Sequence, residues 1–190
     1  MGVFLSAILL EISLVSRIAK SRINIKNDVN RKLMLISIIL MIFIYSLNDN
    51  TFFLYYFLIP ILVYIFYMDR KTYLIINEFN ILLLILGLVY MVFSNQLFPH
   101  IFISLGFFII MFLAILLEKI IKKEIIGDGD LKLFIVMSLL FSYKIFIVIL
   151  IASIIALLYY YLKRLFRKQD SLIPFGPYLV IGFIIVIICM

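Results

Sequence analysis

Two aspartates stand out as residues whose type and setting could support catalysis. Asp130 closes the sequence Gly127-Asp128-Gly129-Asp130, and Asp69 ends a long apolar run. Two carboxyl groups at close range can hydrolyse a peptide bond without a metal, because the ionised one takes a proton from water while the protonated one polarises the scissile carbonyl. We expect Gly127 and Gly129 to give the backbone access to positive φ and to let an extended substrate approach closely.

A structural interpretation of the same residues is also open. Asp130 would then be the N-cap of a helix that starts at Leu131, Asp69 a solvated helix end, and Asp128 a loop residue able to tune the field at Asp130. If the aspartates are catalytic, their helix-end positions predict Asp130 as the more ionised member, since a helix N-terminus favours an anion, and Asp69 as the more protonated one. The two groups would titrate jointly.

The elements that position these aspartates are predicted to cross a lipid bilayer. Of the 190 residues 67% are hydrophobic, and the mean hydropathy is +1.28, whereas soluble domains are roughly 45–50% apolar. Apolar runs alternate with short charged breaks, which predicts an all-α polytopic transmembrane bundle of about eight helices in a single membrane domain, residues 1–190. The predicted helices are 2–16, 33–48, 51–68, 79–98, 101–119, 131–142, 145–162 and 175–190. For the run 131–162, one long helix plus a re-entrant piece is an alternative.

The basic residues predict the orientation of the bundle. With eight spans, all of the 17 lysines and arginines except Lys144 fall in loops on one side, and the positive-inside rule makes that side cytoplasmic. The first of these loops is the basic segment Arg17–Lys32. Asp69 and Asp130 then lie at one depth, at the cytoplasmic edge of the membrane. The net charge of +7 therefore indicates topology and attraction to anionic headgroups, and no nucleic acid partner is expected.

The remaining ionisable residues are expected to play smaller parts. Glu11 is predicted within two turns of the cytoplasmic end of the first helix, where it either extends to the interface or lines the active cavity. The single Cys189 and the single His100 offer no metal-ligand spacing, so neither a metal nor another cofactor is expected.

Three segments resemble the type IV prepilin peptidases, which are GxGD-type membrane aspartyl peptidases. Gly127-Asp128-Gly129-Asp130-Leu131-Lys132-Leu133 resembles the family's GxGDxKL motif. Ile173-Pro174-Phe175-Gly176-Pro177-Tyr178 resembles its IPFGPF segment before the last span. Asp69, with Leu74, Ile75 and Asn77 after it, resembles the segment of the first aspartate, although Ile76 replaces the family's proline there. The resemblance covers Tyr64 onwards, which makes residues 64–190 a peptidase-like core.

The resemblance implies a role for each matching residue. It implies catalytic aspartates at Asp69 and Asp130, an active-site loop with Gly127, Asp128, Gly129 and Lys132, and a scaffold with Asn77, Pro174, Phe175, Gly176 and Pro177. It also implies a substrate, a prepilin or pseudopilin with a short basic leader before an apolar helix. Cleavage would take place on the cytoplasmic side of the bacterial plasma membrane, with the chain as a multi-pass protein of that membrane.

One departure from the family limits the activity that can be transferred. Many members carry two CxxC pairs in the first cytoplasmic loop, a region that accompanies N-methylation of the processed pilin. The segment Arg17–Lys32 has no cysteine, so zinc binding there is excluded and peptidase activity alone is expected. Three alternatives stay open: a non-catalytic membrane assembly factor of a pilus or secretion system, a small transporter, and a peptidase for other substrates. Transporters place ionisable groups nearer the middle of the bilayer.

Overall fold

The computed structural model describes residues 2–23, 25–47, 54–94, 97–122, 127–165 and 174–189. These residues form eight α-helices, one 3₁₀ turn and no β-strand, which confirms the all-α prediction. The helices are α1 (Gly2–Ile23), α2 (Asn27–Leu47), α3 (Leu54–Thr72), α4 (Asn77–Ser94), α5 (Leu97–Ile121), α6 (Asp128–Phe141), α7 (Ile145–Leu165) and α8 (Gly176–Ile188), with the 3₁₀ turn at Ser142–Lys144 between α6 and α7.

The apolar surface of the bundle fits a lipid environment. Two helical stretches in the described residues are long and apolar enough to cross a membrane, Leu97–Ile121 and Asp128–Leu165, of which the second comprises α6, the 3₁₀ turn and α7. Shorter apolar helices accompany them at Asn77–Phe93 and Gly176–Ile188. On α5 the large side chains of Phe98 and Phe102 are 89% and 79% exposed. Exposing so much apolar area to water is unfavourable, whereas placing it in the hydrocarbon of a membrane is favourable.

The first two helices extend further than predicted. The segment 17–32, predicted as a loop, consists mostly of the last turns of α1 and the first turns of α2, and only residues 24–26 join them. Lys20 and Arg22 lie in the last turn of α1, where cations are favourable next to the helix C-terminus. A charged segment can therefore continue a membrane helix into the headgroup region instead of ending it.

The longer α1 changes the position of Glu11. Because α1 ends at Ile23, Glu11 lies about 18 Å from that end, at 1.5 Å per residue, so the predicted position within two turns of the end is wrong. Glu11 instead lines a cavity of about 260 Å³ with apolar residues of α3 and α4, including Phe57 and Leu82. Its Oε2 atom is buried and has no hydrogen-bond partner among the described residues.

The chain reverses direction between α6 and α7. Ser142 has φ 48° and ψ −133°, a conformation that an α-helix cannot contain. The ring of Phe107 on α5 lies 6.0 Å from that of Phe134 and 5.7 Å from that of Phe146, whereas a straight helix would separate residues 134 and 146 by about 18 Å. The alternative of one long helix over 131–162 is therefore wrong, and the predicted break at Ser142-Tyr143-Lys144 is confirmed.

Contacts between helix ends show which ends lie together. Glu78 at the start of α4 forms an ion pair with Arg22 at the end of α1. Tyr64 of α3 donates a 2.6 Å hydrogen bond to Asn30 of α2. On α5, Ser104 donates to the carbonyl of Ile135 on α6 at 3.2 Å.

Together with the hydrogen bond between Gly176 of α8 and Asp69 of α3 and the cavity that Lys163 of α7 shares with Arg70 of α3, these contacts bring the C-termini of α1, α3, α5 and α7 and the N-termini of α2, α4, α6 and α8 to one end of the bundle. We call it the basic end, because every lysine and arginine of the described residues except Lys144 lies there.

The pair α7 and α8 packs closely around Gly182. A Cβ atom at Gly182 would lie 2.8 Å from the backbone oxygen of Val148, and a backbone atom cannot give way as a side chain can. We expect Gly182→Ala to destabilise the bundle by about 1–3 kcal/mol, the usual cost of overpacking. Thermal unfolding in detergent measures the loss. The matched control is Gly106→Ala on α5, where a Cβ meets nothing within 4 Å. Equal unfolding temperatures for the two variants would contradict this account.

Candidate active site

Asp69 is a buried carboxylate held by the start of another helix. It lies in the last turn of α3 and is only 6% exposed. The backbone N–H of Gly176, the first residue of α8, donates a 2.9 Å hydrogen bond to Asp69 Oδ2. An unpaired N–H at a helix N-terminus is a favourable partner for an anion. The interpretation of Asp69 as a solvated helix end is therefore wrong.

The sequence did not predict the contact between Gly176 and Asp69. A Cβ atom there would lie 2.7 Å from Asp69 Oδ2 and 3.0 Å from its Cγ, so only glycine leaves room for the carboxylate. The predicted scaffold supports this contact on both sides. Pro177 occupies the first turn of α8, a position that needs no N–H donor, and the ring of Phe175 packs against that of Phe134 at 6.4 Å. Pro174 precedes them and is half-buried.

Asp130 lies inside α6 and is not its N-cap. The helix begins at Asp128, and Gly127 is the N-cap without any side-chain capping bond. The predicted capping role of Asp130 is therefore wrong, because the helix starts earlier and places Asp130 in its first turn. The side chain is half-buried, and Asp69 acts on it electrostatically. The carboxyl groups of α3 and α6 thus lie close enough to influence each other electrostatically.

The two motif glycines act through their size and not through unusual backbone angles. No glycine of the described residues has a positive φ, and Gly127 has φ −61° and ψ 130°, so the expected positive φ at Gly127 and Gly129 is wrong. Gly129 is helical, and a Cβ atom there would lie 3.2 Å from Cβ of Ile75. The absence of a side chain at Gly129 therefore lets the segment that follows Asp69 pack against the first turn of α6.

The other predicted site residues surround this pair at the basic end. Lys132 Nζ donates to Asn77 Oδ1 at 3.3 Å and so connects α6 to the start of α4. Asp128 is exposed. One turn beyond Asn77, Asn80 is 6% exposed, and its amide atoms have no partner among the described residues. No sequence signal marked Asn80. In the described part of the chain, no group of three or more His, Cys, Asp or Glu side chains could hold a metal ion.

The apolar helices and their packing define a helical membrane protein. The model of the type IV leader peptidase family matches residues 56–162, which is more than half of the chain and includes both Asp69 and Asp130. The chain belongs to the type IV leader peptidase family and is a protease of that general type. Neither the curated proteins nor the solved structures gave a match.

Proposed function

We propose that this protein is an aspartyl endopeptidase that removes the basic leader of prepilin-like or pseudopilin-like substrates at the cytoplasmic face of the plasma membrane. The observation that carries the proposal is the junction of α3, α6 and α8 at the basic end. There Asp69 is buried against Gly176 and acts electrostatically on Asp130. The family match supports the peptidase class, and the carboxyl pair supplies the chemistry.

The contact between Gly176 and Asp69 supports a division of roles opposite to the one that helix ends alone predict. A backbone N–H donor favours the ionised form of the carboxylate that accepts its hydrogen bond. The donor to Asp69 is the N–H of Gly176 at the N-terminus of α8, and the dipole of that helix also favours an anion. Burial disfavours the ionised form of both carboxyl groups, but Asp69 has this backbone donor and therefore serves as the base. Asp130, next to that negative charge, keeps its proton and donates it to the scissile carbonyl.

The reaction follows from these roles without a further reactant. Asp69 removes a proton from a water molecule, whose oxygen attacks the carbonyl carbon while Asp130 transfers its proton to the carbonyl oxygen. The tetrahedral intermediate collapses when the C–N bond breaks. The leaving nitrogen takes the proton held by Asp69, and the hydroxyl proton returns to Asp130. Both carboxyl groups then regain their starting states.

The position of the pair agrees with the substrate class. A leader peptide precedes an apolar helix, so the bond to be cut lies where the hydrocarbon region ends. Asp69 is followed at once by the basic residues Arg70 and Lys71, which belong at the headgroup level. An active site at the centre of the bilayer could not reach that bond. An active site outside the membrane would require a soluble domain to carry it.

Leader removal in a defined membrane tests this function. The family resemblance also implies cleavage next to a glycine at the boundary between leader and apolar helix. We expect the purified protein in liposomes to shorten a substrate that has a basic leader, this boundary glycine and an apolar helix, as seen by mass spectrometry. The control substrate carries valine in place of that glycine. Absence of cleavage by a correctly inserted protein would instead support the non-catalytic assembly factor, which the replacement of the family's proline by Ile76 favours.

The product is expected to carry an unmethylated N-terminus. Methylation in bifunctional relatives accompanies a cysteine-containing region after the first span, and here α1 and α2 are joined by residues 24–26 only. Incubation of the processed substrate with the protein and S-adenosylmethionine should leave its mass unchanged. A mass increase of one methyl group would contradict the assignment of peptidase activity alone.

A further inference from the structure

A second cavity, separate from the carboxyl pair, lies between α3, α7 and α8. It has a volume of about 390 Å³. Its wall includes the cations Arg70 and Lys163, the tyrosine pair Tyr159 and Tyr178, and below them the apolar side chains of Phe66 and Ile155. Asp69 and Asp130 do not line it, and nothing in the proposed peptidase reaction uses it.

The chemistry of the wall changes along the helix axes. Arg70 and Lys163 lie in the last turns of α3 and α7, at the basic end. Phe66 is one turn deeper than Arg70, and Ile155 lies about 12 Å deeper than Lys163, at 1.5 Å per residue. The cavity is therefore cationic at its mouth and apolar at its floor.

The tyrosines connect these two levels. Their rings lie 5.7 Å apart, Lys163 Nζ lies 5.9 Å from the ring centre of Tyr159, and Arg70 acts electrostatically on Tyr178. Tyrosine has an apolar ring and a polar tip, which suits it to the boundary between headgroups and hydrocarbon. The two cations and the two rings thus form one continuous wall.

We propose that this cavity binds one anionic phospholipid, with its phosphate between Arg70 and Lys163 and an acyl chain against Phe66 and Ile155. Charge complementarity selects an anion at the mouth, and basic pockets between transmembrane helices are a known way to hold such headgroups. A free phosphate or an acidic peptide side chain would use the mouth but leave the apolar floor, about two turns deep, without a partner. Only an amphiphile uses both parts.

The site also touches the segment that holds Asp69. Pro177 and Tyr178 line the cavity and directly follow Gly176, whose N–H binds Asp69. Tyr73, also in the wall, directly follows the end of α3 and has φ 56°, a left-handed conformation that costs free energy in a residue other than glycine. A bound lipid would therefore contact both the end of α3 and the start of α8.

Lipid retention tests the proposal without any use of peptidase activity. The protein is purified from membranes that contain equal amounts of phosphatidylglycerol and phosphatidylcholine, and native mass spectrometry counts the lipids that remain bound. We expect one retained phosphatidylglycerol in preference to phosphatidylcholine. Lys163→Gln should lower that preference about fivefold, which corresponds to roughly 1 kcal/mol for one basic group near anionic lipid. Ile155→Trp should fill the floor and abolish retention with both cations in place.

The controls separate this site from general attraction to a basic surface. Lys119→Gln removes a cation in the last turn of α5, outside the cavity, and should retain phosphatidylglycerol as the wild type does. Equal retention of the two lipids by the wild type, or an equal loss in Lys119→Gln and Lys163→Gln, would overturn the proposal. So would retention by Ile155→Trp, because it would show that the mouth holds the headgroup without an acyl chain in the apolar floor.

Discussion

Replacement of either Asp69 or Asp130 by asparagine is expected to reduce leader removal by about 10²–10⁴-fold or more, the usual contribution of a positioned proton-transfer group. Asparagine keeps the size of the side chain but can neither take a proton from water nor give one to the carbonyl. Since the two carboxyl groups act as one unit, the double variant should be no slower than the worse single variant. Initial rates of cleavage in liposomes measure the effect.

The control for these variants is Asp28→Asn. Asp28 is an exposed aspartate in the first turn of α2, at the same basic end, so it reports any general effect of removing one negative charge there. It should cleave at the wild-type rate. Substantial cleavage by Asp69→Asn or by Asp130→Asn, with normal insertion, would refute the carboxyl-pair mechanism.

Gly176→Ala is expected to slow cleavage by about 10²-fold or more, although the substitution lies outside the carboxyl pair. The added Cβ would lie 2.7 Å from Asp69 Oδ2, so the carboxylate must leave the Gly176 N–H or the start of α8 must shift. A displacement of about 1 Å in a catalytic group costs on the order of 10²-fold in rate. The loss should appear in kcat more than in KM, because the substitution displaces a proton-transfer group that acts in the transition state.

Gly127→Ala provides the matched comparison for Gly176→Ala. It adds the same atom beside the other aspartate, but Gly127 has φ −61° and the new Cβ would lie 3.4 Å from Asp130 Oδ2, which is close to an ordinary contact. We expect a much smaller effect on kcat. Unfolding temperatures show that both proteins are folded. Equal kcat values for Gly176→Ala and the wild type would mean that the carboxylate position is not set by the start of α8.

The sequence was sufficient for the architecture because its signals are local. Apolar runs and charged breaks predicted the number of helices, and Ser142-Tyr143-Lys144 marked the reversal between α6 and α7. Local signals misplaced the helix ends, since Arg17 and Lys20 continue α1 where a break was expected. Glu11 was misplaced for the same reason, because its predicted depth depended on the end of α1.

The sequence likewise predicted only part of the candidate site. The GxGDxKL resemblance pointed to Asp130 and Lys132, but not to the amide of Asn77 as the partner of Lys132. The hydrogen bond from Gly176 joins residues separated by 107 positions, and no periodicity or motif spacing carries such a contact. The prediction of which aspartate is ionised left out this hydrogen bond, because it used only the helix to which each aspartate belongs.

The origin of the Gly176 N–H in α8 has a consequence for biosynthesis. Asp69 and Asp130 both precede α8 in the chain, so a ribosome delivers the two carboxyl groups to the membrane before the helix that fixes one of them. Until α8 inserts, Asp69 lacks its backbone donor and the wall that buries it. We therefore expect a chain that lacks an inserted α8 to have little peptidase activity.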